Sequence, residues 1–342
     1  MTQTILIASP LEAGLVDRIR LLDRELHVLH APELLPQPRY AADHTGAGFK
    51  RSPAQAERWQ MLLGEADILF DLPTAEDLEH APSLRWIQTT STGVGQAASR
   101  LGLAERGILV TTARGVHARP LAEFTFMALL QYFRGLQHLH AEQFSHRWQR
   151  YCGTEVAGRT LVIIGAGDLA RGCAKLARAF DMRVIALARD PARSRAHNDQ
   201  FDEIWPITDL HRALAIADAV VITVPHTPAT DNLINAAAIA AMKPGIALVN
   251  IARGVIIDED AMIDALRRNH IGFAALDVVR DEPLIPTSPL WDLPNVLISP
   301  HSASTVDGEN GRIVDIFCHN LRCWLDGRLN GMRNILDTTL MY

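Results

Sequence analysis

The chain has 342 residues, 48% of them hydrophobic, with 33 Lys and Arg against 39 Asp and Glu and a formal net charge of −6. That length predicts two domains rather than one oversized core. The mild acidity, with cations scattered along the chain, excludes nucleic acid or an anionic membrane surface as the main partner.

Four cysteines, Cys152, Cys173, Cys318 and Cys323, form no CxxC pair and no dense framework, so they read as idle thiols of a reducing cytoplasm. The first residues carry no basic region, and the apolar run after them is too short for a signal peptide. The longest internal apolar stretch, 124–130, is well below the ~20 residues that cross a bilayer. A soluble cytoplasmic chain without membrane contact is therefore expected, and no metal is expected.

Short β-rich runs come first, at 4–8, 27–30, 67–70, 84–89 and 108–111, with helical spacing between them, as at Trp59, Leu62, Leu63 and Ala66. Strands that are apolar throughout rather than alternating are covered on both faces, as in a parallel sheet. A long connecting helix is predicted over 120–148, with Pro120 suited to its first turn. A second series of runs follows at 160–164, 183–187, 219–224, 247–251, 273–278 and 295–299, and 306–325 is again amphipathic. The pattern is α/β, two doubly wound parallel-sheet domains. The predicted division is a smaller flavodoxin-like substrate domain of about five strands, 1–112 with 306–342, and a six-strand Rossmann dinucleotide domain, 113–305, that includes the long helix. A cleft between two such domains is a natural ligand site.

Gly165-Ala166-Gly167-Asp168-Leu169-Ala170 follows the run 160–164 and opens a helical pattern with Leu169, Cys173, Ala177 and Phe180 on one face. This is G-x-G-x-x-A in a strand–turn–helix context. The first Gly permits the tight turn and the second lets backbone approach a pyrophosphate. The small third residue allows close packing, and the helix N-terminus offers N–H donors and a favourable dipole. Glycine-rich turns also occur for purely structural reasons. An NAD enzyme usually places a carboxylate at the end of the next strand to meet the ribose hydroxyls. Here that strand runs into Ala188 and Arg189, with Arg193 and Arg195 behind, which favours NADP(H) over NAD(H). Asp190 is the competing ribose ligand, and a solvated arginine-rich loop is the plain alternative.

Three later segments carry chemistry, each after a predicted strand: Asn250 to Glu259 with Arg253, Asp277 to Leu284 with Glu282, and Ser299 to Thr305 with His301. Singly, Arg253 is equally a surface ion-pair residue, Glu282 a loop carboxylate and His301 a satisfied helix-start histidine. Together they resemble the D-isomer-specific 2-hydroxyacid dehydrogenase family. The N-x-x-R-G…D-E signature stands at Asn250, Arg253, Gly254, Asp258 and Glu259; the D-V…E-P-L signature at Asp277, Val278, Glu282, Pro283 and Leu284; and S/T-P-H at Ser299, Pro300 and His301. Their spacings, 29 residues from Arg253 to Glu282 and 19 on to His301, also agree.

The resemblance runs from about Leu84 to about Leu325 and implies an NAD(P)-dependent reduction of a small 2-oxo acid, such as glyoxylate or hydroxypyruvate, to the D-2-hydroxy acid. It implies His301 as general acid and base, with Glu282 holding the imidazole and favouring imidazolium by opposite charge. Arg253 would bind the substrate carboxylate through a fork of donors that Lys lacks, and Asp277 would orient the nicotinamide.

Ser91-Thr92-Gly93-Val94-Gly95 resembles the family's substrate loop, so Thr92, Gly93 and Val94 are expected to contact substrate beside Arg253 and His301. Gly95 departs from the acidic residue of many members, and Arg114-Gly115-Val116-His117 departs from their Asn-containing segment. Pro225-His226-Thr227-Pro228 resembles the segment beside the cofactor, with Pro225 expected there and His226 equally a phosphate contact or a solvated side chain. His117 either faces the cleft or takes a backbone partner. The resemblance also implies a homodimer through the region of the long helix, the alternative being a helix wholly internal to one chain.

About forty residues follow His301, too few for the regulatory domain of some phosphoglycerate dehydrogenases, so that relative is disfavoured. Formate dehydrogenases carry Gln where Glu282 stands and are disfavoured too, while phosphite oxidation shares the motifs. A second class stays open: a dinucleotide-sensing binding protein like the corepressors of this fold, separable by turnover on 2-oxo acids.

Overall fold

The computed structural model describes residues 3–195 and 200–337; the side chain of Arg195 lies outside the described residues. The chain divides into two compact units, residues 1–116 with 305–342, and residues 117–304.

The first unit holds five strands: β1 (Gln3–Ile7), β2 (Leu26–Leu29), β3 (Ile68–Phe70), β4 (Trp86–Gln88) and β5 (Leu109–Thr111). They are parallel throughout, in the order β2-β1-β3-β4-β5. Successive residues of a strand face opposite layers, and this sheet buries both. Ile5, Ile7, Phe70 and Trp86 pack on Val16 and Ile19 of one helix and on Ile313, Val314, Phe317 and Leu321 of the helix Glu309–Leu325. Leu6, Leu69, Ile87 and Val110 pack on Trp59 and Leu63 of the helix Pro53–Glu65. That explains why the strands read as unbroken apolar runs. The order is that of a flavodoxin-like sheet.

The second unit holds β6 (Thr160–Ile164), β7 (Arg183–Ala188), β8 (Glu203–Pro206), β9 (Ala219–Ile222), β10 (Ile246–Asn250), β11 (Ile271–Leu276) and β12 (Val296–Ile298). All pair in parallel, in the order β12-β11-β10-β9-β6-β7-β8. One face carries Val162, Ile164, Val220 and Leu248 against Leu214, Met262 and Leu266. The other carries Leu161, Ile163, Val221 and Val249 against Leu121, Phe126, Leu129 and Cys173. Each such side chain contributes roughly 1.5–3 kcal/mol on full burial, against about 0–1 kcal/mol for an exposed ion pair. The sheets, not the surface arginines, hold the fold.

Two expectations are corrected here. The second sheet has seven strands rather than six, because β8 is a short edge strand whose only fully covered residue is Ile204. Its mixed sequence gives no apolar run. The helix expected over 120–148 is two helices, Ala118–Phe133 and Leu136–Phe144, and 145–148 lie beyond them. Gly135 between them sits at φ +68, the left-handed conformation that terminates helices. The apolar spacing continues across that glycine, so the pattern alone conceals the break.

All four cysteines are free, and three are buried. Burial pushes the Cys173 thiol up to about 12, which keeps it protonated and inert. Among the described residues no helix is long and apolar enough to cross a membrane.

Candidate active site

The second sheet reverses its winding between β6 and β9, where α/β sheets bind ligands at the strands' carboxyl ends. The glycine-rich turn lies there. Gly165 adopts φ +117, and a Cβ on it would collide with the Thr223 hydroxyl, which follows β9. No other residue fits that turn. Gly167 is exposed and precedes the helix Asp168–Ala179, and a Cβ built on it meets nothing within 4 Å. The space above that helix start is open, and Ala166 and Leu169 beside it are half-buried. Asp168 heads the helix and pairs with Arg171. Ala170 is fully buried, as close packing of this helix requires. Gly172, which the motif does not include, also matters: its Cβ would stand 2.8 Å from the Ala118 carbonyl oxygen of the neighbouring helix. An open cradle, a helix N-terminus and a left-handed glycine fit a dinucleotide pyrophosphate.

At the end of β7, Ala188 is buried and Arg189 is exposed. Asp190 Oδ1 accepts the backbone N–H of Arg193 at 3.0 Å, and its carbonyl accepts the Ser194 N–H and hydroxyl. Asp190 thus starts the helix Pro191–Arg195. After β9, exposed Pro225 accepts the Thr230 hydroxyl on its carbonyl at 2.7 Å. His226 Nε2 lies 3.0 Å from Asp231 Oδ1, a partner its sequence context does not reveal.

Three adjacent strand ends carry the remaining residues. β10 ends at Asn250, which is fully buried; its Oδ1 accepts the Ala252 N–H at 3.1 Å and its Nδ2 donates to the Arg253 carbonyl at 3.0 Å. Asn250 therefore holds the turn that presents Arg253, a role that its place in the motif leaves unstated. The exposed Arg253 guanidinium donates from Nη1 to the Ala252 carbonyl at 2.6 Å. Gly254 packs so closely on the Val279 carbonyl and the Arg280 nitrogen that a Cβ there would overlap both. The Arg253 turn and the loop to Glu282 are consequently in backbone contact.

β11 leads into buried Asp277 and on to Glu282, whose peptide to Pro283 is cis. Glu282 Oε1 accepts the Val279 N–H at 3.3 Å, and its Oε2 lies 2.8 Å from His301 Nδ1. With Nδ1 held by the carboxylate, Nε2 is the ring atom left to handle a proton. His301 and Glu282 are both exposed. The geometry brings Glu282 and His301 into direct contact and links Arg253 to them through backbone; Arg253's own side chain turns to its neighbour's carbonyl.

In the first unit, Thr92 is half-buried, Gly93 exposed and Val94 buried, ahead of the helix Gly95–Arg100. The Ser91 carbonyl accepts the Thr89 hydroxyl at 2.7 Å and the Ala113 N–H at 3.2 Å, fixing the loop's entry. Among the described residues, no group of three or more His, Cys, Asp and Glu side chains is placed to hold a metal ion.

Residues 126–303 match the family described as D-isomer specific 2-hydroxyacid dehydrogenase, NAD binding domain. The glyoxylate reductase of Aeropyrum pernix is 33% identical over 300 residues, which cover 82% of this chain and 86% of that protein. The D-3-phosphoglycerate dehydrogenase of Mycobacterium leprae is 35% identical over 246 residues, 71% of this chain but only 45% of that longer protein. Among solved structures, a D-isomer specific 2-hydroxyacid dehydrogenase family protein from Aeromonas salmonicida subsp. salmonicida A449 matches with a TM-score of 0.78 and 29% identity, covering 99% of this chain and 100% of that one. The family match spans more than half of the chain, and the likeness to the Aeropyrum pernix protein runs along most of both chains: the chain belongs to the D-isomer-specific 2-hydroxyacid dehydrogenase family.

Proposed function

We propose that this protein reduces a short 2-oxo acid, of the glyoxylate or hydroxypyruvate kind, to the D-2-hydroxy acid, using NADPH in preference to NADH. The contact between His301 Nδ1 and Glu282 Oε2 at 2.8 Å carries this reading. A histidine tethered by a carboxylate at one ring nitrogen presents the other as a proton donor of fixed direction.

Gly165, Ala166, Gly167, Asp168 and Leu169 would hold the pyrophosphate end of the cofactor, and Pro225 would lie along it. When bound, the dinucleotide supplies the hydride that becomes the hydrogen on C2. His301 Nε2 gives a proton to the carbonyl oxygen, while Glu282 Oε2 holds the ring at Nδ1 and sets its direction. Arg253 releases the Ala252 carbonyl and turns its fork to the substrate carboxylate, which accepts more strongly than a neutral carbonyl. Thr92, Gly93 and Val94 are proposed as further carboxylate contacts through backbone N–H groups.

The test is the initial rate of NADPH and NADH oxidation across 2-oxo acids of increasing length. A short acid is expected to turn over, and no turnover across the panel would overturn the reading. Arg253→Lys is expected to lower kcat/KM by about 10- to 100-fold, because a point charge cannot replace a bidentate donor. A value within twofold of wild type would remove Arg253 from substrate binding.

The preference for NADPH rests on Arg189 and on the engagement of Asp190 Oδ1 by the Arg193 N–H, which ties that carboxylate into the start of its own helix. Arg189→Ala is expected to raise KM for NADPH by about tenfold and to leave that for NADH little changed, since arginine–phosphate pairing is a charge-assisted bond. Equal effects on both cofactors would argue that Arg189 does not read a 2′-phosphate.

A homodimer is proposed on the exposed apolar residues of the second unit, Leu136, Leu139, Phe144, Trp148 and Tyr151, the largest of which are 91% (Phe144) and 100% (Trp148) exposed. An isolated subunit rarely leaves such a set uncovered. The free thiols fit the cytoplasm as the proposed location.

A further inference from the structure

The turn that carries His301 is built around one residue. Asp277 is 3% exposed, and its Oδ1 accepts hydrogen bonds from the Ser299 hydroxyl at 2.7 Å, the Ser302 N–H at 2.8 Å and the Ala303 N–H at 2.8 Å. Its carbonyl accepts the His301 N–H at 2.8 Å as well. Four bonds from the turn thus return to a single side chain and its own backbone. Resemblance alone assigns Asp277 to the nicotinamide. The geometry supports a different role, and we infer that Asp277 is the positioning residue that fixes the backbone of His301 and so aims its imidazole.

The turn needs such an anchor. His301 sits at φ +52, a left-handed conformation disfavoured for any residue with a Cβ. A residue stays there only where its surroundings over-determine it. Successive N–H groups curled toward one point make a concavity suited to an anion, and a buried carboxylate fills it better than a neutral acceptor. The two constraints on His301 also share a source. Its main chain is tied to Asp277 and its ring to Glu282, both within the segment that follows β11. A shift of that segment would carry the histidine with it, so the dyad stays intact as a unit. Fixing the main chain alone would leave the ring free to rotate, and fixing the ring alone would leave the turn free to relax.

The inference rests on His301 being the proton carrier, and the test separates the two claims. Asp277→Asn keeps shape and removes charge; Ser299→Ala keeps the carboxylate and removes one donor, in case the first variant folds poorly. Both are measured without cofactor, by hydrogen exchange at 299–305, and in turnover, by kcat, KM, the pH profile of kcat/KM and the Kd for NADPH. In Asp277→Asn the Ser302 and Ala303 amides are expected to exchange about tenfold faster or more, as befits loss of a bond to a charged acceptor. Its kcat is expected to fall about 100-fold through misplacement of the acid, with Kd for NADPH within a few-fold. Ser299→Ala is expected to move the same way by less. Unchanged exchange with lost NADPH affinity would overturn the inference and leave Asp277 a cofactor contact. Faster exchange with unchanged kcat would also overturn it, since the turn would then not aim the imidazole, whereas unchanged kcat in His301→Asn would overturn the role of His301 itself.

Discussion

His301→Asn is expected to lower kcat by about 10²–10⁴-fold, the range that positioned acid–base groups contribute, while NADPH still binds. Asparagine is the informative replacement because of the backbone. At φ +52 most side chains would add strain, whereas Asn tolerates the left-handed region unusually well. The Ser299–Ala303 turn and its bonds to Asp277 should survive, so the loss reports the missing proton carrier rather than a collapsed loop. Glu282 then faces an amide that cannot become a cation. Stopped-flow oxidation of NADPH beside a fluorescence titration of cofactor binding checks both halves. A kcat within threefold of wild type would show that the proton comes from elsewhere.

Gly254→Ala is expected to cost about 3 kcal/mol of stability or more, at or beyond the upper end of overpacking effects. The reason lies in what the new methyl meets: the Val279 carbonyl and the Arg280 nitrogen, both backbone, with no flexible side chain to yield. For a unit of this size that corresponds to roughly 2–4 °C of Tm per kcal/mol. Activity should fall too, because the Arg253 turn and the loop to Glu282 can no longer touch. Gly311→Ala is the control: that position lies in the helix Glu309–Leu325, and its Cβ meets nothing within 4 Å. There alanine should be neutral or slightly stabilising, since it favours helix over glycine. Calorimetry of both variants would decide the matter, and equal melting temperatures would contradict the close approach at Gly254.

How much of this was legible in the sequence follows from what each feature needs. Strands covered on both faces announce themselves as apolar runs, so Thr160–Ile164 coincides with its run to the residue. The edge strand Glu203–Pro206 buries too little to leave that trace. The break at Gly135 is local backbone chemistry beneath a continuous apolar pattern, and only the glycine itself hints at it. Arg253, Glu282 and His301 stood out because their motifs are specific and end on predicted strands. What holds them did not. Asn250 belongs to a motif, yet nothing in its letters says that it clamps the Arg253 turn. Asp277 likewise shows its three donors only when β11 and the turn after β12 lie side by side. The Asp277 bonds join residues more than twenty positions apart, and one-dimensional spacing does not encode them.

One measurement bears most directly on the central claim. NADPH carrying deuterium at the transferable C4 position is incubated with the protein and a short 2-oxo acid that it turns over and whose product is chiral, as that of hydroxypyruvate is, and the product is analysed by NMR and chiral chromatography. The account requires one D-2-hydroxy acid, deuterated at C2, for each NADPH consumed. The L-isomer, or product without deuterium at C2, would contradict it.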